Sequence, residues 1–338
     1  MNSAVPPSTA VPAEPTHRAM EQAAEWYALL KSEEVSEGDQ ARWRAWLNGD
    51  PEHRLAWRYV ESVSSRFAPI HATPDPRRTA DGLWQANTLL IKRRRVLAGF
   101  VGLAGIGLLG WASWRHTPLP LMAQAWRADH HTATGETREV VLSDGTRVWL
   151  NTATAINQDY GSRERRLQLV AGEILIDTAS DTYGGGPRLF YVDTPQGRLR
   201  ALGTRFTVRL DGEQTFLAVY EGAVEAHNLG GKRTVLQAGQ QTRFSPDALG
   251  EVQAADTARE AWSRGVLVAQ DIPLREVVAE LRRYRNGHLG LAPEVAEFRV
   301  FGNFPLNDTD DTLDMLAAAL PVRISHTLPW WVSIEAAH

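Results

Sequence analysis

The stretch VLAGFVGLAGIGLLGWASW, residues 96–114, decides how the chain is organised on either side of it. It carries no charged residue, and a helix of its 19 residues rises to roughly 28 Å, close to the hydrocarbon thickness of a bilayer. The alternative is a buried helix of a soluble domain, but such helices keep a polar stripe, and this stretch has none. The sequence therefore predicts one transmembrane helix.

Basic residues flank this stretch unequally. The four residues before it, 92–95, are Lys-Arg-Arg-Arg, whereas only Arg115 and His116 follow it. Because positively charged loops stay in the cytoplasm, residues 1–95 are predicted to be cytoplasmic and residues 115–338 periplasmic. The predicted localisation is the inner membrane, crossed once.

The predicted span is rich in glycine, which stands at positions 99, 102, 105, 107 and 110. Residues 105–110 match the dinucleotide-binding pattern GxGxxG, but they follow no strand and a phosphate cannot be bound in hydrocarbon, so that function is excluded. Two interpretations of the glycines remain. They allow close packing of a partner helix, or they weaken the helix so that an intramembrane protease can unwind it.

Composition divides the rest of the chain into units. On the cytoplasmic side we predict a disordered tail (1–17), a helical domain (18–66) and a linker (67–95). Beyond the span (96–114) we predict a second linker (115–130), an all-β domain (131–250) and an α+β domain (259–338). The fold class is thus multi-domain, with a small all-α unit, one transmembrane helix and two periplasmic units.

Three short helices are predicted in residues 18–66. Ser36 and Asp39 form a capping-box pattern at the second helix, and Asp50-Pro51 is an N-cap followed by proline at the start of the third. The same residues hold four tryptophans: Trp26, Trp43, Trp46 and Trp57. Core packing explains two or three of them, but so small a domain cannot easily bury all four. At least one is therefore expected on a surface that binds a partner.

Charge and composition disfavour some classes of function and exclude others. Residues 1–66 hold seven Lys/Arg and ten Asp/Glu, a formal net charge of −3, whereas binding of duplex DNA draws on clustered positive charge. An acidic helical domain suits a basic protein partner better. The chain has no cysteine, so disulfides and thiolate metal sites are excluded. The adjacent His130 and His131 cannot place both rings on one strand face. No metal or other cofactor is predicted.

Residues 131–246 alternate apolar and polar side chains in short runs separated by turn signals. Ser143-Asp144-Gly145-Thr146 joins two such runs, residues 140–142 and 148–150, as in a β-hairpin. The regular spacing predicts an all-β unit, either a sandwich or a short solenoid. No constellation of catalytic residues is found in it.

The period of the pattern changes from Gly265. A strand is followed by a helix that opens at Ile272-Pro273, two strands, a second helix at 309–320 and two closing strands. The predicted order is β-α-β-β-α-β-β. This compact unit is of ordinary domain size.

Several blocks of the sequence resemble those of one known family. The N-terminal block is AAEWYALLKSEEVSEGDQARWRAWLNGDPEHRLAWRYVES (23–62). The later blocks, in order, are LSDGTRVWLNTATAI (142–156), RRLQLVAGEILIDTASD (165–181), FYVDTPQGRLRALGTRFTVR (190–209), AVYEGAVEAHN (218–228) and LQAGQQTRFS (236–245). Together they resemble FecR-type regulators, which are transmembrane anti-sigma factors of siderophore signalling. FGNFPLNDTDDTLDMLAAALPVRI (301–324) resembles the short domains shared by secretins and TonB-dependent transducers.

The resemblance implies a function and its partners. The tryptophan-bearing helices would bind an extracytoplasmic-function (ECF) sigma factor, and the α+β domain would receive the signalling domain of a TonB-dependent outer-membrane receptor. Periplasmic and intramembrane proteases would then release the sigma factor. In some relatives the Leu-Gly-Thr motif cleaves itself, which here places the bond between Gly203 and Thr204. No other enzymatic activity is expected.

Two other classes of function remain open from the sequence. The first is a membrane-tethered DNA-binding regulator with a periplasmic sensor, which the acidity of the helical domain disfavours. The second is a membrane-anchored periplasmic enzyme or glycan-binding protein, which would need a polar cleft with placed acids or bases. At Gly203-Thr204 the alternative to self-cleavage is a simple glycine bend that leads into a strand.

Overall fold

The computed structural model describes residues 15–32, 35–67, 128–181 and 188–337. The predicted span at 96–114 lies outside the described residues, as do most of the predicted tail and of both linkers. Within the described ranges, no helix has the length and apolar character needed to cross a bilayer.

Three helices form the N-terminal unit, and their caps are those that the sequence predicts. They are α1 (His17–Lys31), α2 (Glu37–Gly49) and α3 (Pro51–Phe67). Ser36 and Asp39 each accept a hydrogen bond from the other's backbone N–H at 3.1 Å, which confirms the capping box of α2. Asp50 accepts from the N–H of Glu52 at 2.8 Å, so the first turn of α3 is also capped.

Small side chains fill the core of this helical unit. Ala19, Ala23 and Ala24 of α1 face Ala56 and Val60 of α3, and all are buried. Alanine lets two helices approach closely, so little apolar volume is needed between them. None of the four tryptophans is fully buried, and of the four the half-buried Trp46 packs against this core, fewer than the two or three expected there.

Residues 130–254 form two seven-stranded sheets. The first, in spatial order, contains β1 (His130–His131), β4 (Ala155–Tyr160), β5 (Glu164–Ala171), β7 (Leu189–Thr194), β8 (Gly197–Ala201), β11 (Ala223–Asn228) and β12 (Arg233–Gln237). The second contains β14 (Gln253–Ala254), β13 (Gln240–Phe244), β10 (Gln214–Glu221), β9 (Arg205–Asp211), β6 (Glu173–Asp177), β3 (Arg147–Leu150) and β2 (Arg138–Val141). Only β5 and β7 run parallel among these pairs.

One continuous apolar core lies between the two sheets. Leu167 and Phe190 from the first sheet meet Ile174, Phe206 and Val208 from the second, and each is almost fully buried. Two sheets packed face to face make a sandwich, one of the two predicted architectures. Along each sheet the strands follow one another in chain order, so the unit also has the progressive winding of the other, a short solenoid. The β2–β3 hairpin forms at residues 142–146 as predicted.

The second sheet is covered on its other face as well. Leu175 of β6 points away from the sandwich core and belongs to a separate apolar cluster with Val278 and Leu281. Because β6 is buried on both faces, its sequence is a nearly continuous apolar run and does not alternate between apolar and polar residues. The C-terminal unit provides the cover.

The C-terminal unit has the predicted order of elements. A 3-10 helix (Thr257–Arg264), which the sequence pattern did not predict, leads into it. Then follow β15 (Val266–Pro273), α4 (Leu274–Tyr284), β16 (His288–Leu291), β17 (Arg299–Pro305), α5 (Thr309–Ala319), β18 (Val322–Leu328) and β19 (Trp331–Ala336). β15 pairs with β17, and the second sheet of the unit has the order β16-β19-β18.

Buried polar contacts join the sandwich to the C-terminal unit. The Tyr284 hydroxyl donates to the Asn151 side chain at 2.6 Å, and Arg283 forms a 2.7 Å ion pair with Glu173. Arg209 forms a further pair with Glu280 at 3.2 Å. The sandwich and the C-terminal unit are thus fixed to one another through α4.

In this structure the helical unit lies on the sheet β16-β19-β18. Trp331 of β19 is completely buried beside Ala19 and Ala23, and its indole N–H donates to Glu21 at 3.0 Å. Tyr59 of α3 lies 3.3 Å from Nδ1 of His288. This contact brings the first and last parts of the chain together, although the sequence analysis places them in different compartments.

Candidate functional site

The four tryptophans of the helical unit are each half-buried. Trp43 of α2 and Trp57 of α3 lie with ring centroids 5.1 Å apart, and Tyr27 of α1 lies 5.8 Å from Trp57. These three rings draw one aromatic side chain from each helix into a single cluster, here called the aromatic cluster. Half-buried aromatic rings that remain partly open to solvent are typical of binding surfaces.

A shallow groove runs beside this cluster. It has a volume of about 350 Å³ and is lined by side chains that include Tyr27, Trp57, Lys31 and Glu61. The indole N–H of Trp43 is buried without a hydrogen-bond partner. An unpaired buried donor destabilises the free protein, and a partner that supplies an acceptor would remove that cost.

The other two tryptophans lie apart from the cluster. Trp46 stacks on His53 with ring centroids 4.5 Å apart, and its indole N–H donates to Gln22 at 3.1 Å. Trp46 therefore ties α2 to α1, a structural role. Trp26 is half-buried and belongs to neither contact. The structure thus joins only two of the four predicted tryptophans, Trp43 and Trp57.

The second candidate site is the bond between Gly203 and Thr204, which lies at the start of β9. Gly203 has a φ of +74°, a left-handed conformation that other residues adopt only at a cost. A side chain there would meet nothing within 4 Å, so conformation and not space selects glycine. Thr204 is buried, and its hydroxyl oxygen has no hydrogen-bond partner.

Thr178, just beyond the end of β6, holds Thr204 in place. The Thr204 N–H donates to the Thr178 hydroxyl at 2.7 Å, and the Thr178 N–H donates to the Thr204 carbonyl at 3.1 Å. The Thr178 hydroxyl in turn donates to that carbonyl at 3.1 Å. Thr178 and Thr204 thus extend the pairing of β6 with β9 by one residue pair. In this pair the Thr178 hydroxyl, in place of a backbone carbonyl, accepts the Thr204 N–H.

A second glycine packs against the same bond from the opposite strand. Gly222 follows β10, next to the bulge at Tyr220, and has a φ of +73°. A Cβ on Gly222 would lie 2.2 Å from the Gly203 carbonyl oxygen and 2.8 Å from Cγ2 of Thr204. The absence of a side chain at Gly222 is therefore what lets the Gly203 carbonyl occupy its position.

Charged neighbours flank the bond on the side of the C-terminal unit. Arg205, directly after Thr204, forms a 3.0 Å ion pair with Glu260 of the 3-10 helix. Tyr220 is half-buried, and burial of its hydroxyl raises the pKa of that group to about 12, so it stays protonated at neutral pH. The bond thus lies between the sandwich and the segment that leads to the C-terminal unit.

Two family models match separate parts of the chain. A model described as FecR protein matches residues 128–225, and a model of a domain of unknown function (DUF4880), the N-terminal region of FecR proteins, matches residues 21–63. The chain belongs to the FecR family. In this FecR-family chain the first match covers most of the sandwich, including Gly203 and Thr204, and the second covers α1–α3 without their outer ends.

Two crystal structures are also similar to the FecR-family chain. Both are of a candidate anti-sigma factor from Parabacteroides distasonis ATCC 8503, at 2.50 Å and 1.65 Å resolution. Each is 22% identical in sequence to this chain, with a TM-score of 0.49. Each match covers 62% of this chain, and it covers 98% of the chain in the 2.50 Å structure and 99% of the chain in the 1.65 Å structure. No curated protein sequence matches the chain.

Sequence reasoning found Gly203 and Thr204 but missed two residues that surround them. Thr178 lies inside a block that carries the family resemblance, and Gly222 is readable only as the end of a strand. Thr178 is 26 positions from Thr204, and Gly222 is about 20 positions from Gly203, so no local sequence pattern reveals these contacts. Within the described residues no cluster of His, Asp and Glu side chains suits a metal ion.

Proposed function

We propose that the chain is an anti-sigma regulator that crosses the inner membrane once, with α1–α3 binding an ECF sigma factor in the cytoplasm. The sandwich and the C-terminal unit would face the periplasm. The proposal is supported by family matches on both sides of residues 96–114, to residues 21–63 and 128–225, and by the charge asymmetry around residues 96–114. It treats the helical unit as the output and the β-rich part as the sensor.

The aromatic cluster carries the sigma-binding part of the proposal. Trp43 and Trp57 are half-buried, adjoin an open groove and leave one buried indole N–H without an acceptor. Large aromatic side chains of this kind dominate the binding energy of protein interfaces. The net charge of −3 over residues 1–66 favours a basic partner surface.

The C-terminal unit would receive the signal. Phe301 of β17 is 81% exposed, and β17 pairs on one edge only, with β15, among the described strands. An exposed phenylalanine beside a free strand edge suits a partner that adds a strand. By family resemblance that partner is the signalling domain of a TonB-dependent receptor. Docking would expose the periplasmic part to proteolysis, and cleavage through the glycine-rich span would release α1–α3.

Co-purification tests the sigma-binding proposal. Tagged full-length protein, cross-linked in its own host cells, should enrich an ECF sigma factor identified by mass spectrometry. Trp57→Ala should reduce that enrichment at least about tenfold, a hot-spot loss of about 1.4 kcal/mol or more, whereas the exposed neighbour Arg44→Ala on α2 should not. Retention of promoter DNA without a sigma factor would instead support the tethered DNA-binding regulator.

We further infer that the Gly203–Thr204 bond cleaves itself. The Thr204 hydroxyl oxygen, buried and unpaired, would add to the Gly203 carbonyl carbon, and its proton would pass to the amide nitrogen as the C–N bond breaks. The product is an ester with a free amine on Thr204. Water then adds to the ester carbonyl, leaving a Gly203 carboxylate and returning a proton to the threonine oxygen.

Intact mass measurement tests the cleavage. The purified chain should yield two fragments, 1–203 and 204–338, that stay associated because β9 belongs to the middle of a sheet. Thr204→Ala removes the nucleophile and should give one intact species, whereas Thr204→Ser keeps a hydroxyl and should still cleave. A wild-type chain that remains intact would reject this proposal and leave the sigma-binding proposal untouched.

A further inference from the structure

We propose that the Thr178 hydroxyl is a catalytic group in the self-cleavage. It donates a proton to the Thr204 amide nitrogen, the leaving group when the Gly203–Thr204 bond breaks. This inference rests on the proposed self-cleavage. It starts from one irregularity in the second sheet. At the end of the β6–β9 ladder a side-chain hydroxyl, and not a backbone carbonyl, accepts the Thr204 N–H, at 2.7 Å.

The two kinds of acceptor differ in what they can do for the reaction. A peptide carbonyl only accepts, whereas a hydroxyl both accepts and donates. In the resting chain the Thr178 hydroxyl accepts from the Thr204 N–H and donates to the Thr204 carbonyl at 3.1 Å. When the nitrogen loses its amide conjugation, it becomes basic and needs a second proton before it can leave.

The Thr178 hydroxyl can supply that proton from where it lies. It would turn from the Thr204 carbonyl to the nitrogen and donate its proton as the C–N bond breaks. The proton released from the Thr204 hydroxyl passes to the Thr178 oxygen in the same step, so the nitrogen gains one proton and the Thr204 oxygen loses one. Protons therefore balance over the step, and no oxidant or further reactant is needed.

The surrounding residues keep Thr178 in register with the bond. The N–H of its neighbour Ala179 donates to the Thr146 hydroxyl at 3.2 Å, and the Ala179 carbonyl accepts from Arg165 at 3.0 Å. On the opposite side, Gly222 leaves the Gly203 carbonyl room that any side chain would fill. The reacting peptide is thus held between two fixed segments, a pre-organised arrangement that favours an intramolecular reaction.

The test compares Thr178→Val with Thr178→Ser in the full chain. Valine keeps the branched shape but removes the hydroxyl, whereas serine keeps the hydroxyl. General acid catalysis contributes about 10²–10⁴-fold, so Thr178→Val should slow fragment formation at least about 100-fold and Thr178→Ser less than about tenfold. Hydroxylamine, which cleaves esters, should accelerate cleavage of the wild type but not of Thr178→Val, since no ester would accumulate.

Each outcome decides the proposal. Cleavage of Thr178→Val at the wild-type rate would overturn it, as would equal loss of activity in both variants, which would indicate a structural requirement and not a hydroxyl. Hydroxylamine-sensitive accumulation of the ester in Thr178→Val would also overturn it, by placing the defect after the C–N bond breaks. A wild-type chain that does not cleave would instead refute the self-cleavage itself. Unchanged thermal unfolding of both variants serves as the control for folding.

Discussion

The indole N–H of Trp331, in the last strand, donates to the carboxylate of Glu21, in the first helix, at 3.0 Å. Ser333 donates to the same carboxylate oxygen. A chain that crosses a membrane between residues 67 and 128 cannot keep this contact within one molecule. The proposed topology therefore separates two apolar surfaces, one on α1 and α3 and one on β19, and leaves each available to a partner.

Cysteine pairs test this separation directly, because the chain has no cysteine of its own. The pair Glu21→Cys and Ser333→Cys should form no disulfide in membranes of intact cells, since the proposed topology places these positions on opposite sides. The facing pair Glu225→Cys and Val235→Cys, on adjacent strands β11 and β12, should cross-link as a control. A disulfide between the cysteines introduced at positions 21 and 333, formed before the cells are lysed, would overturn the proposed topology.

The buried pair of Arg165 and Asp144 should be important for stability. Their atoms lie 2.6 Å apart, with the side chains 8% and 1% exposed. Burial raises the pKa of Asp144, but hydrogen bonds from Thr146 and Arg165 outweigh it and hold the pKa below its ordinary value. Arg165→Met should destabilise the sandwich by about 3–5 kcal/mol, because it leaves a buried carboxylate unpaired.

Denaturant unfolding at neutral and acidic pH measures this effect. A carboxyl with a lowered folded pKa stabilises the protein above its unfolded pKa, and that stability is lost as pH falls through the folded pKa. The gap between wild type and Arg165→Met should therefore narrow at low pH. Arg138→Met, which breaks an exposed pair with Glu136, should change stability by less than about 1 kcal/mol. Equal losses from both variants would contradict the prediction.

Much of the fold could be predicted because its signals are local. The caps at Ser36 and Asp50, the hairpin at residues 143–146 and the β-α-β-β-α-β-β order all follow from residues close together in the chain. Each depends on short-range hydrogen bonding or on the period of apolar side chains, which a sequence displays directly. These elements were predicted correctly.

Long-range packing could not be predicted in the same way. Most of the buried residues in the core of the helical unit are alanines, whose low hydrophobicity gives little signal, and the four tryptophans of the unit are only half-buried. Which strands pair with one another, and that they form two facing sheets, could not be read from the sequence pattern. At the candidate site, Gly203 and Thr204 came from family resemblance, while Thr178 and Gly222 are brought to them by the sheet alone.

A comparison of two glycines with the same backbone geometry can separate the effect of a left-handed conformation on stability from its effect on cleavage. Gly203 and Gly239 have φ values of +74° and +79°, and a Cβ on either would meet nothing within 4 Å. Replacement of either by alanine should therefore cost a similar amount of folding stability, about 1–2 kcal/mol. Only Gly203→Ala should also slow fragment formation, by about 5–30-fold, because the reactive conformation is less populated. Mass spectrometry over time would check the rates, and equal rates in both variants would count against a role for the Gly203 conformation.

In purified protein that keeps the contact between the helical unit and the sheet β16-β19-β18, His288 should make the fold sensitive to acid. Burial above all, and then the nearby charges of Arg282 and His17, lower the pKa of His288 to about 3, and the Tyr59 hydroxyl lies 3.3 Å from Nδ1 of His288. The unfolded chain binds a proton near pH 6.5 but the folded one does not, so stability should fall as pH drops from about 6.5 towards 3. The loss should approach about 1.4 kcal/mol per pH unit within that window.

His288→Phe isolates this contribution. Phenylalanine can keep the stacking on Trp331, whose ring centroid lies 3.8 Å from that of His288, but it takes up no proton. The stability of the variant should therefore depend less steeply on pH between about 6.5 and 3, as followed by denaturant unfolding at several pH values. Because His17 and Tyr59 belong to the helical unit, detachment of that unit should raise the pKa of His288 towards its ordinary value. An identical pH slope in wild type and variant would show that His288 is not the group responsible.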